Sequence, residues 1–315
     1  MNSLVLASLS LPNLVSRLPG GVAQGIIWGI MALGVYITFR LLDVADLTVD
    51  GSFTTGGAVT VMLIIAGWPA WAALLAAVVA GLLAGLVTGL LHTKLGIPAI
   101  LAGILTQFAL YSINLRIMSM KANTPVNPDK YSLFLTLRSV PGAIWKGLLL
   151  AAVLIALLYW YFGTEQGSAI RSTGANPAMS RAQGININAM KVLGLSLSNG
   201  MVALSGGLMA QYQGFADINM GRGAIVIGLA AVIIGEAVFG RIFQNFALKL
   251  VSVSLGAIIY YIVIQLVLTL GFDANLLKLL SASVVAVFLA VPYWKGKYFA
   301  KPAAKKANKE GANNA

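Results

Sequence analysis

The sequence predicts an all-α membrane protein that crosses the bilayer many times. Hydrophobic residues make up 59% of its 315 positions, charged residues make up only 10%, and the mean hydropathy is +0.88. Soluble domains carry about 25% charged residues, and a helix needs about 20 apolar residues to cross a bilayer. The chain has room for about eight to ten such helices. This composition argues against a soluble enzyme, a disordered chain and a fibrous repeat.

Apolar runs bounded by glycine, proline or charge define the candidate spans. The shorter runs are candidates for broken helices that do not cross the membrane alone. Two polar breaks separate some of the runs and are too polar to span. The nine runs cover residues 21–39, 51–66, 69–91, 98–118, 142–162, 190–213, 224–240, 243–270 and 276–294, and the breaks are 119–141 and 163–189.

The runs divide the chain into three parts. Residues 1–20 lack the basic start of a signal peptide, so we expect an N-terminal interfacial segment rather than a cleaved leader. Residues 21–294 form the transmembrane domain, with 163–189 as a loop inside it. Residues 295–315 are rich in lysine, alanine and asparagine, which predicts a basic, disordered cytoplasmic tail.

Charge counting orients the chain. With the tail inside, thirteen of the 21 Lys and Arg residues lie on the inner side and eight on the outer side. The break at 163–189 is then cytoplasmic, whereas the break at 119–141 and the N-terminus are external. We attribute the net charge of +12 to cationic residues that set the topology and contact anionic lipid, not to binding of nucleic acid.

The residue inventory excludes several kinds of chemistry. Cysteine is absent and His92 is the one histidine, so neither a disulfide framework nor a two-histidine metal motif exists. No P-loop, nucleophile elbow or dinucleotide-binding motif occurs. We therefore expect no catalytic residues, metal or cofactor, and an energy source in another subunit or in an ion gradient.

An internal repeat is detectable at an offset of 171 residues. Residues 29–61 align with 200–232, and seven positions are identical, among them Asp46 with Asp217 and Gly57 with Gly228. The predicted topology runs the first copy inward and the second outward. Inverted repeats are a common plan of transporters, whose substrate path lies at the repeat interface.

Three carboxylates interrupt the apolar runs between residues 40 and 51. Such groups persist near hydrocarbon only where they meet water, a partner or a helix N-terminus. One interpretation is a solvated interfacial turn in which Thr48 or Asp50 caps a helix. The other is a broken helix that lines a solute path, which the similar segment 215–223 in the second repeat favours.

Further polar residues lie inside apolar runs. Glu236 either faces the path or is paired, by Arg241 or by another subunit. Gln107 and Asn114 are seven positions apart and so share one helix face, where they either line the path or bond across helices. The candidate path residues are Asp46, Thr48, Asp50, Thr54, Gln107, Asn114, Asp217, Asn219 and Glu236.

The break at 163–189 predicts two short helices. A first helix ends near Gly174, and Pro177 begins a second one that reaches about Ala182, because proline is favoured in a first helical turn. The segment resembles the cytoplasmic coupling loop of ABC-importer permeases of the branched-chain amino acid, ribose and nucleoside family. The residues that carry this resemblance are Gly167, Ile170, Arg171, Gly174, Asn176, Pro177, Gly184, Ile185 and Asn186.

The resemblance extends over nearly the whole chain, including residues 45–51 and the region from Asn199 to Glu236. It implies a permease subunit of an ABC importer in the bacterial inner membrane, which is not itself an enzyme. The implied partners are an ABC ATPase, an extracytoplasmic solute-binding protein or lipoprotein, and a second permease copy in a homodimer. The implied ATPase-coupling residues are Gly167, Ile170, Arg171, Gly174, Asn176, Pro177, Ala178, Arg181 and Gly184.

The solute stays open at this point. The chain also resembles, more loosely, a subgroup of permeases that work with lipoproteins for tryptophan or tyrosine. We therefore expect the solute to be an amino acid, and in that subgroup an aromatic one. Alternatives are a sugar or nucleoside permease of the same family, an ion-coupled secondary transporter that uses Asp46, Asp217 or Glu236, and a scaffold membrane protein.

Overall fold

The computed structural model describes residues 11–240 and 242–269, with a few positions between 279 and 290. This part of the chain is almost entirely helical, which confirms the predicted fold class. Its helices are α1 (Leu11–Tyr36), α2 (Val49–Ile65), α3 (Ala70–Thr93), α4 (Ala99–Ile117), α5 (Val140–Gly163), α6 (Glu165–Ala175), α7 (Pro177–Ala182), α8 (Ile187–Gln213), α9 (Ala224–Phe239) and α10 (Phe246–Thr269).

Six helices of the described residues are long and apolar enough to cross a membrane, namely α1, α3, α4, α5, α8 and α10. A π-helical turn, Ile37–Leu41, extends α1. The helices α2 and α9 are shorter and correspond to the runs predicted at 51–66 and 224–240. The predicted run at 276–294, the first ten residues and the tail at 295–315 lie almost wholly outside the described residues. Residues 11–20 form the first turns of α1.

Helix boundaries follow local signals. Pro69 and Pro98 stand immediately before α3 and α4, and Asn186 caps α8 by accepting a hydrogen bond from the Ala189 amide at 3.1 Å. At its other end α8 stops at Gly214, which has a φ of 80° that favours glycine.

The two polar breaks lie at opposite ends of α8, whose 27 residues rise about 40 Å. We call the end that carries α6 and α7 the loop face. At the other end, which we call the sheet face, β1 (Asn123–Pro125) pairs antiparallel with β2 (Phe215–Asp217), with Thr124 opposite Ala216. In the same break, Arg138 forms an ion pair that lowers the pKa of the Asp129 carboxyl.

The core is built around α1 and α8, which cross antiparallel and are buried over most of their length. Two serine hydroxyls of α8 donate to α1 carbonyls. Ser198 bonds the Gly34 oxygen and Ser205 bonds the Ile27 oxygen, both at 2.7 Å. Small side chains and glycines let the helices approach closely enough for these bonds.

The repeat predicted from the sequence is inverted in the structure. Because α1 is antiparallel to α8, while α2 packs parallel to α8 and α9 packs parallel to α1, the two copies run in opposite directions. The contacts obey the same symmetry. A shift of 171 residues converts the Ile27–Ser205 contact into the Ser198–Gly34 contact. This relation is what a pseudo-twofold axis between the copies requires.

Candidate functional site

The chain between the π-helical turn and α2 is held by a buried network. Asp46 accepts from the Thr48 amide at 2.9 Å and from the Asn199 side-chain amide at 2.7 Å. Asn199 in turn accepts from the Ser52 hydroxyl at 2.6 Å, and the Thr48 hydroxyl lies 2.8 Å from that of Thr88. Every one of these groups is buried and bonded. Asp46 and Thr48 therefore fix the start of α2 against α3 and α8.

The second repeat contains the equivalent turn near the sheet face. Asp217 accepts from the Asn219 amide at 2.8 Å, as Asp46 does from the Thr48 amide two residues on. Asp217 also accepts from the Asn123 side chain at 3.4 Å. It is half-buried and Asn219 is exposed, so these two candidates lie at the outer edge of the site.

The N-termini of α2 and α9 meet inside the bundle. The Asp50 carboxylate accepts from the amides of Gly223 and Ile225 at 2.9 and 3.0 Å, and Thr54 accepts from the Gly221 amide at 3.2 Å. The repeat shift exchanges residue 50 with 221 and converts the Thr54–Gly221 contact into the Ile225–Asp50 contact. Asp50 and Gly221 therefore face each other across the pseudo-twofold axis. Two half-helices with facing positive ends are a common form of solute site in transporters.

A cavity of 480 Å³ opens beside this junction. Asn114 in its lining is fully buried, and its Oδ1 has no hydrogen-bond partner among the described residues. An unpaired buried carbonyl is costly unless something in the cavity satisfies it. The lining consists of Asp50, Gly51, Thr54, Gln107, Phe108, Tyr111, Asn114, Ile218 and Arg222.

Four of the nine predicted path residues thus share one cavity, namely Asp50, Thr54, Gln107 and Asn114. Phe108, Tyr111 and Arg222 line the same cavity but are not among the predicted path residues. Arg222 is one of the eight cations that charge counting places on the outer side, whereas the segment 218–223 turns back to contact the start of α2. The internal repeat could have indicated this position of Arg222, because it aligns Arg222 with Gly51 at the start of α2.

Glu236 lies far from this cavity, towards the loop face. Its carboxylate accepts from Arg40 Nε at 2.7 Å, and both side chains are partly exposed. The expected partner Arg241 is outside the described residues. The pair joins the end of the π-helical turn to α9.

The loop at 163–189 forms α6 and α7 with caps of its own. Thr164 accepts from the Gly167 amide, and Asn176 accepts from the Met179 amide at 3.0 Å, so Asn176 and Pro177 start α7 as the sequence predicts. Residues 175–179 and 181–184 are exposed, including Ala178, Arg181 and Gly184. The loop therefore presents a short rigid helix outward from the loop face.

The inner side of this loop is anchored to the bundle. Ile170 is fully buried, and Gly174 lies against the Leu41 carbonyl so closely that a side chain would clash with that backbone. Arg171 lies over the Phe246 ring at 5.4 Å and donates to the Ser168 hydroxyl at 3.4 Å. Because Leu41 ends the π-helical turn, α6 touches the element that leads directly to Asp46 and Asp50.

We expect the buried network to be a major source of stability. Asn199→Ala removes the partner of both Ser52 and Asp46 in a buried site, which should lower the free energy of unfolding by about 2–4 kcal/mol. The matched control is Asn188→Ala, which alters an exposed residue of the same helix. Thermal unfolding of the purified protein in detergent measures both variants. Equal melting temperatures for the two would contradict this role.

The fold and site together define a class. A multi-pass bundle with an inverted repeat, paired half-helices and a polar cavity is a membrane transport subunit. Residues 18–292 match the family model described as branched-chain amino acid transport system / permease component, and the chain belongs to that family. It is a permease component of an ABC-type transport system and, in bacteria, a multi-pass protein of the inner membrane.

Two relatives support this assignment. A tyrosine transport system permease protein of Clostridioides difficile is 41% identical over 269 residues, which cover 85% of this chain and 89% of that protein. An uncharacterized protein of Rickettsia prowazekii is 35% identical over 271 residues, covering 85% of this chain and 94% of the relative. No solved structure gives a significant match.

Proposed function

We propose that this permease moves an aromatic amino acid through the cavity at the half-helix junction, within an importer driven by a separate ABC ATPase. The proposal rests on two features found in the same chain, the cavity at the half-helix junction and the exposed helix α7. The cavity offers polar groups inside the membrane, and the loop offers a docking element on one face. The tyrosine permease relative supports the choice of solute.

The docking element has the size and shape of a coupling helix. It is six residues long, capped at its start, exposed on its outer side and joined through α6 to the π-helical turn. Arg181 is exposed and can meet carboxylates or helix C-termini of an ATPase. Movement of α7 would pass through Leu41 to the segment that carries Asp46 and Asp50.

The other partners are assigned by position. A solute-binding protein or lipoprotein would deliver solute at the sheet face, opposite the docking loop. A second copy of the chain would cover the exposed side of α4, where Phe108 and Tyr111 line the cavity and are 72% and 43% exposed. Closure between two copies would exclude lipid from this polar cavity, which an isolated chain leaves partly open.

Reconstitution tests the proposal against the ion-coupled alternative. The chain is placed in proteoliposomes with an ABC ATPase and a solute-binding protein of the same organism, and uptake of tyrosine, tryptophan, leucine and ribose is measured. We expect ATP-dependent tyrosine or tryptophan uptake that a protonophore does not inhibit. Protonophore-sensitive uptake by the chain alone would favour a secondary transporter. Uptake of ribose but no amino acid would contradict the proposed solute.

A further inference from the structure

We infer that Arg222 and Asp50 bind the two charged ends of an α-amino acid, with Arg222 holding the carboxylate. This inference rests on the proposed function and names the residues that select its solute class. The feature that leads to it is a guanidinium at the half-helix junction whose charge no acidic residue of the described chain neutralises.

Arg222 occupies an unusual place for a cation. Its segment turns back into the bundle, and its neighbours Gly221 and Gly223 are bonded to Thr54 and Asp50 at the start of α2. The ion pairs found among residues 11–240 and 242–269 are Arg40–Glu236 and Arg138–Asp129, neither of which involves Arg222. Arg222 is exposed, and it lines two cavities, so its charge is open to a solute that enters either one.

The chemistry of the guanidinium selects the ligand group. Arginine stays protonated and presents a planar fork of N–H donors that fits both oxygens of a carboxylate. Arg222 lines the 480 Å³ cavity and also a second cavity of 360 Å³ formed with Trp28, Tyr260 and Tyr261. Arg222 therefore lies between the two cavities, and a carboxylate bound in either cavity would be close to it.

Acceptors for an ammonium group lie in the same cavity. Asp50 uses its carboxylate oxygens to accept from the Gly223 and Ile225 amides, and a carboxylate has about four acceptor sites, so capacity remains. The buried Asn114 Oδ1, which has no partner in the described structure, adds a further acceptor. One cavity thus contains a cation without an acidic partner and two acceptors with unused capacity.

This combination fits a zwitterion better than a neutral solute. The ammonium and carboxylate of an α-amino acid are attached to one carbon, so both charges enter the cavity together. A sugar or nucleoside has no carboxylate and would leave Arg222 without a counter-charge. Phe108 and Tyr111, one turn apart on α4, provide aromatic surface for the solute side chain.

The test uses the complete importer in proteoliposomes, with the variants Arg222→Gln and Arg222→Lys. The matched control is Arg116→Gln, which removes an exposed cation of α4 that does not line the cavity. Loss of a charge-assisted contact should reduce tyrosine uptake about tenfold to a hundredfold in Arg222→Gln. Arg222→Lys should recover part of the loss because it restores the charge, and Arg116→Gln should match the wild type.

A second readout separates binding from folding. Radiolabelled tyrosine is bound to the permease–ATPase complex without the binding protein and is displaced by unlabelled tyrosine or by tyrosinamide, which lacks the carboxylate. In the wild type, tyrosinamide should compete about tenfold less well than tyrosine, and in Arg222→Lys this preference should shrink but persist. In Arg222→Gln it should vanish.

The outcomes distinguish the inference from the proposed function. If the wild-type importer takes up no amino acid, the proposed function fails and the inference fails with it. If the wild type takes up tyrosine but Arg222→Gln keeps both its uptake and its preference over tyrosinamide, the inference alone is wrong. If Arg222→Gln does not assemble, the preference measured in Arg222→Lys decides, and a preference equal to that of the wild type overturns the role.

Discussion

Replacing Ala178 by arginine is expected to abolish ATP-driven uptake while the bundle stays folded. Ala178 is exposed in the first turn of α7, which is only six residues long, so a bulky charge there covers a large share of any docking surface. The partner would have to desolvate the new guanidinium without a matching acid, which costs several kcal/mol. We expect uptake to fall below about a hundredth of the wild-type rate.

The control is Gln166→Arg, which adds the same side chain at an exposed position of α6, ahead of the docking element α7. ATPase co-purification and tyrosine uptake are measured in the same membranes. Loss of uptake with the ATPase retained would indicate uncoupling, and loss of both would indicate failed docking. Normal uptake after replacement of residues 172–182 by a glycine–serine linker would refute the docking role altogether.

The route from the docking loop to the cavity explains why so small an element should matter. Gly174 lies against Leu41, and Leu42 contacts Gly194 at the beginning of α8. From there the chain runs through the Asp46 network to Asp50, which caps α9. Because these contacts are close, we expect a displacement of α6 to pass along this route to the half-helix junction, beside which the cavity lies.

Local patterns in the sequence predicted much of this arrangement. Apolar runs between prolines and glycines located eight helices, and Asn176–Pro177 located the start of α7, because caps and proline act over a few residues. The carboxylates at 46 and 50 predicted either a solvated turn with a cap on the helix that follows it or a broken helix, and the turn is instead buried, with no side-chain cap from Thr48 on α2. Asp50 caps α9 and stands at the end of a half-helix that lines a cavity.

The sequence was less informative where partners are distant. Glu236 pairs with Arg40, 196 positions away, because the π-helical turn brings the end of α1 beside α9. Charge counting places Arg222 with the outer cations because it treats every segment between spans as lying outside the membrane. The bonds of Gly221 and Gly223 to α2, which place Arg222 beside the half-helix junction, join residues more than 160 positions apart.

The second large effect, a loss of stability, is expected from adding a methyl group where α2 crosses α8. Gly56 lies directly on the backbone of Ala203, and Gly206 lies on that of Phe53, so a methyl group at either position would clash with a carbonyl oxygen. Relief requires the two helices to separate, which would break the Ser52–Asn199 bond that holds them. Gly56→Ala should therefore lower the free energy of unfolding by about 3 kcal/mol or more, at the upper end for overpacked cores.

The comparison that isolates this clash is Gly20→Ala, because residue 20 lies within α1 and has open space where the new methyl group would go. That change replaces glycine by a better helix former and should leave stability equal or about 0.5–1 kcal/mol higher. Thermal unfolding and the monodisperse fraction after size exclusion in detergent measure both variants. If Gly56→Ala were as stable as Gly20→Ala, the close crossing of α2 and α8 would be wrong. The half-helix α2 would then lack the support that holds Asp50 against α9.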